Sequence, residues 1–222
     1  MTRRQTSGAP AFAAPVGLRE RKKQRTREAL IRAALELFTT RGYDGTTVDD
    51  ITEAVEVSQR TFFRYFANKE EAALAVVEMA VVHFIEAVRE RPPHEAPLEA
   101  MRQAVLEGWD SLNDVIESVV PVELYLQMYR VIESTPVLLA AHLRRSMEVE
   151  ETLARVIAER EGLDVAADPR PRLAVAVFSG VMRVTERQWS AAADFSLDAM
   201  RTLTVSYLEQ VGPALTENWR TH

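Results

Sequence analysis

Apolar residues recur at three- and four-residue intervals from Ala29 to Val211, and alternating strand-like runs are absent, so the pattern predicts an all-α protein. The first stripe is Ala29, Leu30, Ala33, Ala34, Leu37 and Phe38; it stops at Arg41-Gly42, where glycine suits a helix C-terminus. Thr47 and Asp50 have capping-box spacing and announce a short second helix whose buried face is Val48, Ile51 and Val55. Ser58 opens a third helix, with Val57 and Phe62 at the two positions of a hydrophobic staple. Asn68 and Glu71 form another box ahead of a fourth helix, which runs through Leu74, Val77, Val81, Phe84, Ile85 and Val88 to a break at Arg91-Pro92-Pro93. That helix is long enough to join two domains. Further helices are predicted over about 98–118, 121–132, 136–160, 170–192 and 196–211, with Pro121, Pro136 and Pro171 tolerated in first turns.

The second and third helices, about 48–55 and 59–66, are separated by three residues, which are the dimensions of a helix-turn-helix. Phe62 and Phe66 lie four apart and must face the core, which turns Gln59, Arg60, Arg64 and Tyr65 outward. Arginine can grip guanine O6 and N7 bidentately and glutamine can do the same for adenine, each worth roughly 1–3 kcal/mol of base discrimination. Ser58, Thr61 and Tyr65 can donate to phosphates, while Lys69 and the amides around Thr47 are placed to hold the DNA backbone. For any one of these residues alone, an ordinary solvated helix face is the alternative.

Charge separates the two parts of the chain. The net charge of −6 argues against a nucleic-acid partner, but residues 1–69 hold 13 basic and 8 acidic side chains, leaving −11 for the remainder. A cationic head on an anionic body suits a protein that presents one end to phosphates. Chance asymmetry of solvated faces is the rival reading. Arg3 and Arg4 sit in a stretch interrupted by Pro10 and Pro15, which reads as a disordered basic arm over residues 1–20 and not as a signal peptide. There is no cysteine, which excludes disulfides, thiolate metal sites and cysteine nucleophiles, and fits a reducing cytoplasm. The longest apolar run, Leu173 to Met182, is about half of the ~20 residues needed to cross a bilayer, so no membrane partner is expected.

Gly42-Tyr43, the run Thr46 to Ile51, Val57-Ser58 and the run Thr61 to Glu70 together resemble the TetR family of repressors, over about Arg25 to Leu74. The resemblance implies a homodimeric regulator that reads a palindromic operator in double-stranded DNA. It further implies a helix-turn-helix DNA-binding domain over residues 21–69 and a helical ligand-binding and dimerisation domain over residues 70–222. Phosphate contacts are implied at Thr47 and Lys69, and base and backbone contacts at Ser58, Gln59, Arg60, Thr61, Phe63, Arg64 and Tyr65. Two positions depart from the family pattern. Glu56 stands in the turn where glycine is common, so either the turn differs or it bears the roughly 1–2 kcal/mol of a left-handed non-glycine residue. Phe63 replaces a frequent tyrosine and cannot make that hydroxyl's phosphate bond, leaving Tyr65 to take over part of the work. Arg60 stands where glycine is frequent and adds a donor fork suited to reading a base.

For the body, a two-fold operator requires a dimer. The last helices are the candidates: Met200, Leu203 and Tyr207 recur at helical spacing, and the preceding helix, carrying Val177 and Val181, is apolar almost all round. The same residues could be internal core. A small-molecule effector site is also implied by the family, for which Trp109, Tyr125, Met128, Tyr129, Phe178, Met182 and Trp189 are bulky enough to line a cavity, with His83, Arg130, His142 or Arg183 as polar anchors. Plain core packing is the alternative for each. The Arg60 to Phe66 stretch resembles the mycofactocin-regulator subgroup, which implies an acyl-CoA-like ligand. No cofactor is expected. An enzyme finds no support, because phosphate loops, nucleophile elbows and zinc-binding histidine pairs are absent. A helical ligand-binding or scaffolding protein without DNA binding is the remaining alternative.

Overall fold

Helix starts fall where side chains can satisfy the first free backbone N–H groups. In the computed structural model, which describes residues 17–219, the helices are α1 (Leu18–Arg41), α2 (Val48–Ala54), α3 (Gln59–Phe63), α4 (Lys69–Glu90), α5 (Pro97–Glu117), α6 (Val122–Ser134), α7 (Pro136–Glu161), α8 (Arg170–Ser190), α9 (Leu197–Glu209) and α10 (Val211–Thr216). Among the described residues there is no strand, and no helix is long and apolar enough to cross a membrane. The fold is therefore all-α, as the periodicity predicts. Residues 1–16 of the expected arm lie outside the described residues; Leu18, Arg19 and Glu20 do not belong to an arm but form the first turn of α1.

Thr47 and Asp50 make the full reciprocal capping box at α2, and Ser58 accepts from the Thr61 amide at α3. At α4 only half of the expected box is present. Asn68 accepts from the Glu71 amide at 2.9 Å, but the Glu71 carboxylate reaches one residue further back, to the Ala67 amide at 2.7 Å. The helix predicted over 196–211 breaks at Gln210, and α10 follows as a separate element. Pro213 explains the break, because its ring in a continuous helix would collide with the Glu209 carbonyl and remove a hydrogen bond.

Helix α1 packs on both α4 and α6. One apolar core consequently runs from Leu30, Leu35, Phe38, Ile51, Phe62 and Phe66 through Ala72 to Val76 and on to Met128, Ile132, Leu138 and Trp189. A second core holds Ile85, Val88, Met101, Leu153, Ile157, Val175, Phe178 and Leu208. Arg32 on α1 crosses between the parts, donating to the Val119 carbonyl at 2.9 Å. Trp189 is wholly buried, stacks on Phe195 with ring centres 4.0 Å apart and donates its indole N–H to the Ser196 carbonyl at 2.8 Å.

Glu56 has φ of +54° between α2 and α3, so the turn keeps its usual geometry and bears the strain. Glu56→Gly should stabilise the protein by about 0.5–1 kcal/mol, the relieved strain being partly offset by glycine's extra unfolded-state entropy. Urea melts would show it, and a destabilised Glu56→Gly variant would contradict the account.

Candidate functional site: a DNA-reading head and a body cavity

The third helix is held from below and free above. Phe62 and Phe66 are buried against the head core, their ring centres 5.4 Å apart, while Phe63 is 52% exposed. Arg60 and Arg64 are exposed, and Arg60 has no hydrogen-bond or ion-pair partner among the described residues. The Arg64 guanidinium lies 4.9 Å from the centre of the Tyr65 ring and donates to its hydroxyl at 3.2 Å. Tyr65 itself is only half-exposed. Gln59 donates its side-chain amide to the Asp49 carboxylate on α2, so its orientation is set by the bracing helix. Ser58 and Thr61 share a hydroxyl hydrogen bond of 3.0 Å.

Thr47 and Lys69 are more occupied than sequence alone suggests. The Thr47 hydroxyl lies 2.5 Å from Asp50 Oδ2, which also accepts from the Thr47 amide at 2.7 Å. Those bonds hold the Asp50 carboxyl below its ordinary range. Lys69 Nζ donates to the carbonyls of Tyr43 at 2.9 Å and Thr46 at 3.1 Å, and sits 4.0 Å from the centre of the Tyr43 ring. The first residue of α4 thus ties down the loop that ends in Thr47. Sequence reasoning placed Lys69 at the DNA backbone and missed this clamp, because carbonyls of a loop 23 to 26 residues away leave no periodic signal.

In the body, α4 to α9 line a half-open cavity of about 490 Å³. Trp109, Tyr125, Tyr129, Phe178 and Met182 line it, together with His83, His142 and Arg183. Met128 and Trp189 do not; they lie in the core beneath the head. Arg130 is turned away, its guanidinium 4.1 Å from the centre of the Phe195 ring. Glu78, Arg145, Glu148, Glu150 and Glu186 complete the charged lining, and none of them had been singled out from sequence. Arg145 pairs with Glu78 at 2.9 Å and Glu148 at 2.8 Å, and Arg183 pairs with Glu150. Burial is the main cause that pushes the Glu186 carboxyl up to about 7, with Glu133 adding to it and Tyr129 and Arg183 opposing. Among the described residues no cluster suited to a metal ion occurs.

Val177, Val181, Met200, Leu203 and Tyr207, the residues expected at a dimer face, are all half-buried within the subunit. Val181 packs on the second core, Leu203 on the first, and Met200 both packs on the first and lines the cavity. Tyr207 turns its hydroxyl to the Gln188 side chain. The most exposed apolar side chains of α8 are Leu173 and Val184, 61% and 58% exposed, with half-buried Val177 and Gly180 between them. A helix apolar on every side does not reveal from spacing alone which stripe its own subunit covers.

A three-helix head whose polar third helix stands clear of the core, set on a helical body, is the architecture of a helix-turn-helix DNA-binding transcriptional regulator. The model of the bacterial regulatory proteins, tetR family, matches residues 30–76, and that of the MftR C-terminal domain matches residues 95–213. The chain belongs to the TetR family. It is 48% identical to the HTH-type transcriptional regulator TcmR of Streptomyces glaucescens, over 92% of this chain and 90% of that one. Against the biofilm operon icaADBC negative transcriptional regulator IcaR of Staphylococcus epidermidis the figures are 27%, 57% and 64%. A solved Syntrophomonas wolfei structure assigned to TetR-family regulators superposes with a TM-score of 0.59 at 19% identity, covering 86% of this chain and 96% of that one. The relatives are regulators and not enzymes.

Glu186 makes stability depend on pH. Its carboxyl titrates near 7 in the fold and at about 4.3 unfolded. Between those values the folded chain holds the extra proton, so stability falls as pH rises, by at most about 4 kcal/mol. Relative to the native chain, Glu186→Gln should gain about 1–3 kcal/mol between pH 5 and pH 8 in urea melts. Parallel pH profiles for the two proteins would refute the shift.

Proposed function

We propose that this regulator is a dimeric repressor which grips a palindromic operator with α3 and releases it when a small apolar molecule fills the body cavity. The observation that carries this reading is α4. One helix clamps the recognition head through Lys69 and lines the cavity from Leu74 to Ile85, so a ligand that displaces α4 displaces the head. TetR regulators bind DNA, typically as dimers with small-molecule effectors, and IcaR is by name a negative regulator. The exposed Leu173, Val177, Gly180 and Val184 face of α8 suits the pairing of two bodies, which supplies the neighbours that an apolar helix face needs.

In this reading residues 21–69 form the DNA-binding domain and residues 70–222 the ligand-binding and dimerisation domain. Arg60, Arg64 and Gln59 read base edges, with Asp49 fixing the rotamer of Gln59. Thr47, Ser58, Thr61 and Tyr65 contact phosphates, Phe63 packs against the sugar-phosphate backbone, and Lys69 acts on the DNA through the loop it holds. The effector is small and apolar. An acyl-CoA-like molecule, as the mycofactocin-regulator resemblance implies, would bring phosphates to a lining rich in carboxylates whose two arginines are already paired. That argues for a ligand without the anionic head group.

Selection of bound sequences from random duplexes tests the reading. A palindrome should emerge, and affinity for it should fall steeply with salt as neutralised phosphates release counterions. Arg60→Ala should weaken binding by about 1–3 kcal/mol and relax the preference at one position of each half-site. No enrichment from the pool would favour a helical binding protein without DNA activity, and a uniform loss across all sequences would reduce Arg60 to a phosphate contact.

A further inference from the structure

An exposed carboxylate beside a surface that must approach phosphates is unfavourable, because like charges repel. Asp49 is such a group. It stands exposed in the first turn of α2, one residue before the Asp50 that closes the Thr47 capping box. The nearby Arg41 pairs with Asp50, at 3.5 Å, and not with Asp49. Among the described residues the Asp49 side chain has one partner, the Gln59 amide, whose Nε2 donates to its Oδ1. The two residues are ten apart in sequence and meet because the turn at Glu56 folds α3 back against α2.

That pairing changes what Gln59 can read. A glutamine amide carries an acceptor on one branch and two donor hydrogens on the other, and half a turn about its last side-chain bond exchanges them. Unrestrained, it can offer its carbonyl to the amino groups of adenine or cytosine, or its amino group to O6 of guanine or O4 of thymine. An ionised carboxylate only accepts. With Nε2 on Asp49, the reversed amide would set Oε1 against the Asp49 carboxylate, acceptor against acceptor. The native orientation leaves Oε1 as the atom without a partner among the described residues.

We propose that Asp49 is a specificity-determining positioning residue: it locks the Gln59 amide with its carbonyl free for DNA, so that Gln59 selects adenine or cytosine, the bases with a major-groove amino group, and rejects guanine and thymine. This rests on the reading of α3 as the operator-reading helix and adds the class of base that one of its residues takes. The carboxylate acts in two opposed ways. Its charge lowers affinity for every duplex alike, and its acceptor-only chemistry raises discrimination at a single position.

The test takes the full chain in four forms, native, Asp49→Asn, Gln59→Ala and the double variant, through selection from random duplexes and through titration with calf-thymus DNA. None of the substitutions touches the Thr47 and Asp50 box that caps α2, so the head stays folded. In the native chain one position should favour A or C over G and T by about tenfold, and Gln59→Ala should erase that preference. Asp49→Asn keeps the shape but supplies an amide that can turn together with Gln59; it should shrink the preference to about threefold or less and leave the other positions unchanged. On calf-thymus DNA at low salt Asp49→Asn should bind about two- to fivefold more tightly, a gain that fades as salt rises. Added to Gln59→Ala, it should keep that gain and leave base preference untouched. A preference for G or T at the Gln59 position, an Asp49→Asn chain with the native preference, a change spread over all positions, or weaker binding to calf-thymus DNA would each overturn the proposal. So would a selected sequence whose every position survives Gln59→Ala, which leaves α3 as the reading helix. A native chain that enriches no sequence would instead refute the operator reading, and the proposal with it.

Discussion

Helix α1 packs simultaneously on α4 and α6, and everything else about the molecule depends on that contact. Leu30, Leu35 and Phe38 face one way into the head and are continuous with Met128, Ile132 and Trp189 in the body. Burying each such side chain contributes roughly 1.5–3 kcal/mol, so separating head from body would expose a core and not a hinge. The recognition helix therefore has no independent orientation. Its angle is set through α2, which packs on α1, and through the loop that Lys69 of α4 holds.

That constraint gives the cavity its leverage. It lies among members of both cores and takes a wall from α4, the same helix whose first residue ties the Tyr43 to Thr46 loop to the head. Close-packed interiors move between discrete arrangements and do not deform smoothly. A ligand that prefers one arrangement of α4 by several kcal/mol would move the heads with it. The polar groups in the lining include two arginines held in ion pairs and one carboxyl raised by burial.

Most of the head was legible in the sequence because its signals are local. Caps at Thr47, Ser58 and Asn68, the Phe62 and Phe66 spacing and the awkward Glu56 each act within a few residues, and each stands in the structure where the pattern put it. The body was legible as helices but not as faces. Val181, Met200 and Leu203 carry the same apolar spacing whether they meet their own subunit or another, and only the fold decides. Cavity linings are harder still, since Met128 and Tyr129 are adjacent in sequence yet one lies in the core and the other at the cavity. Long-range polar contacts, such as Arg32 to Val119 and Lys69 to Tyr43, leave no periodic trace at all.

Native-state hydrogen exchange across a urea series tests the shared core most directly. Amides of residues 31–38 in the head and 125–132 in the body should exchange through one common opening, with the same free energy and the same urea dependence. If the head amides instead exchanged through a smaller opening of lower free energy, head and body would be separate units, and a cavity in the one could not set the angle of the other.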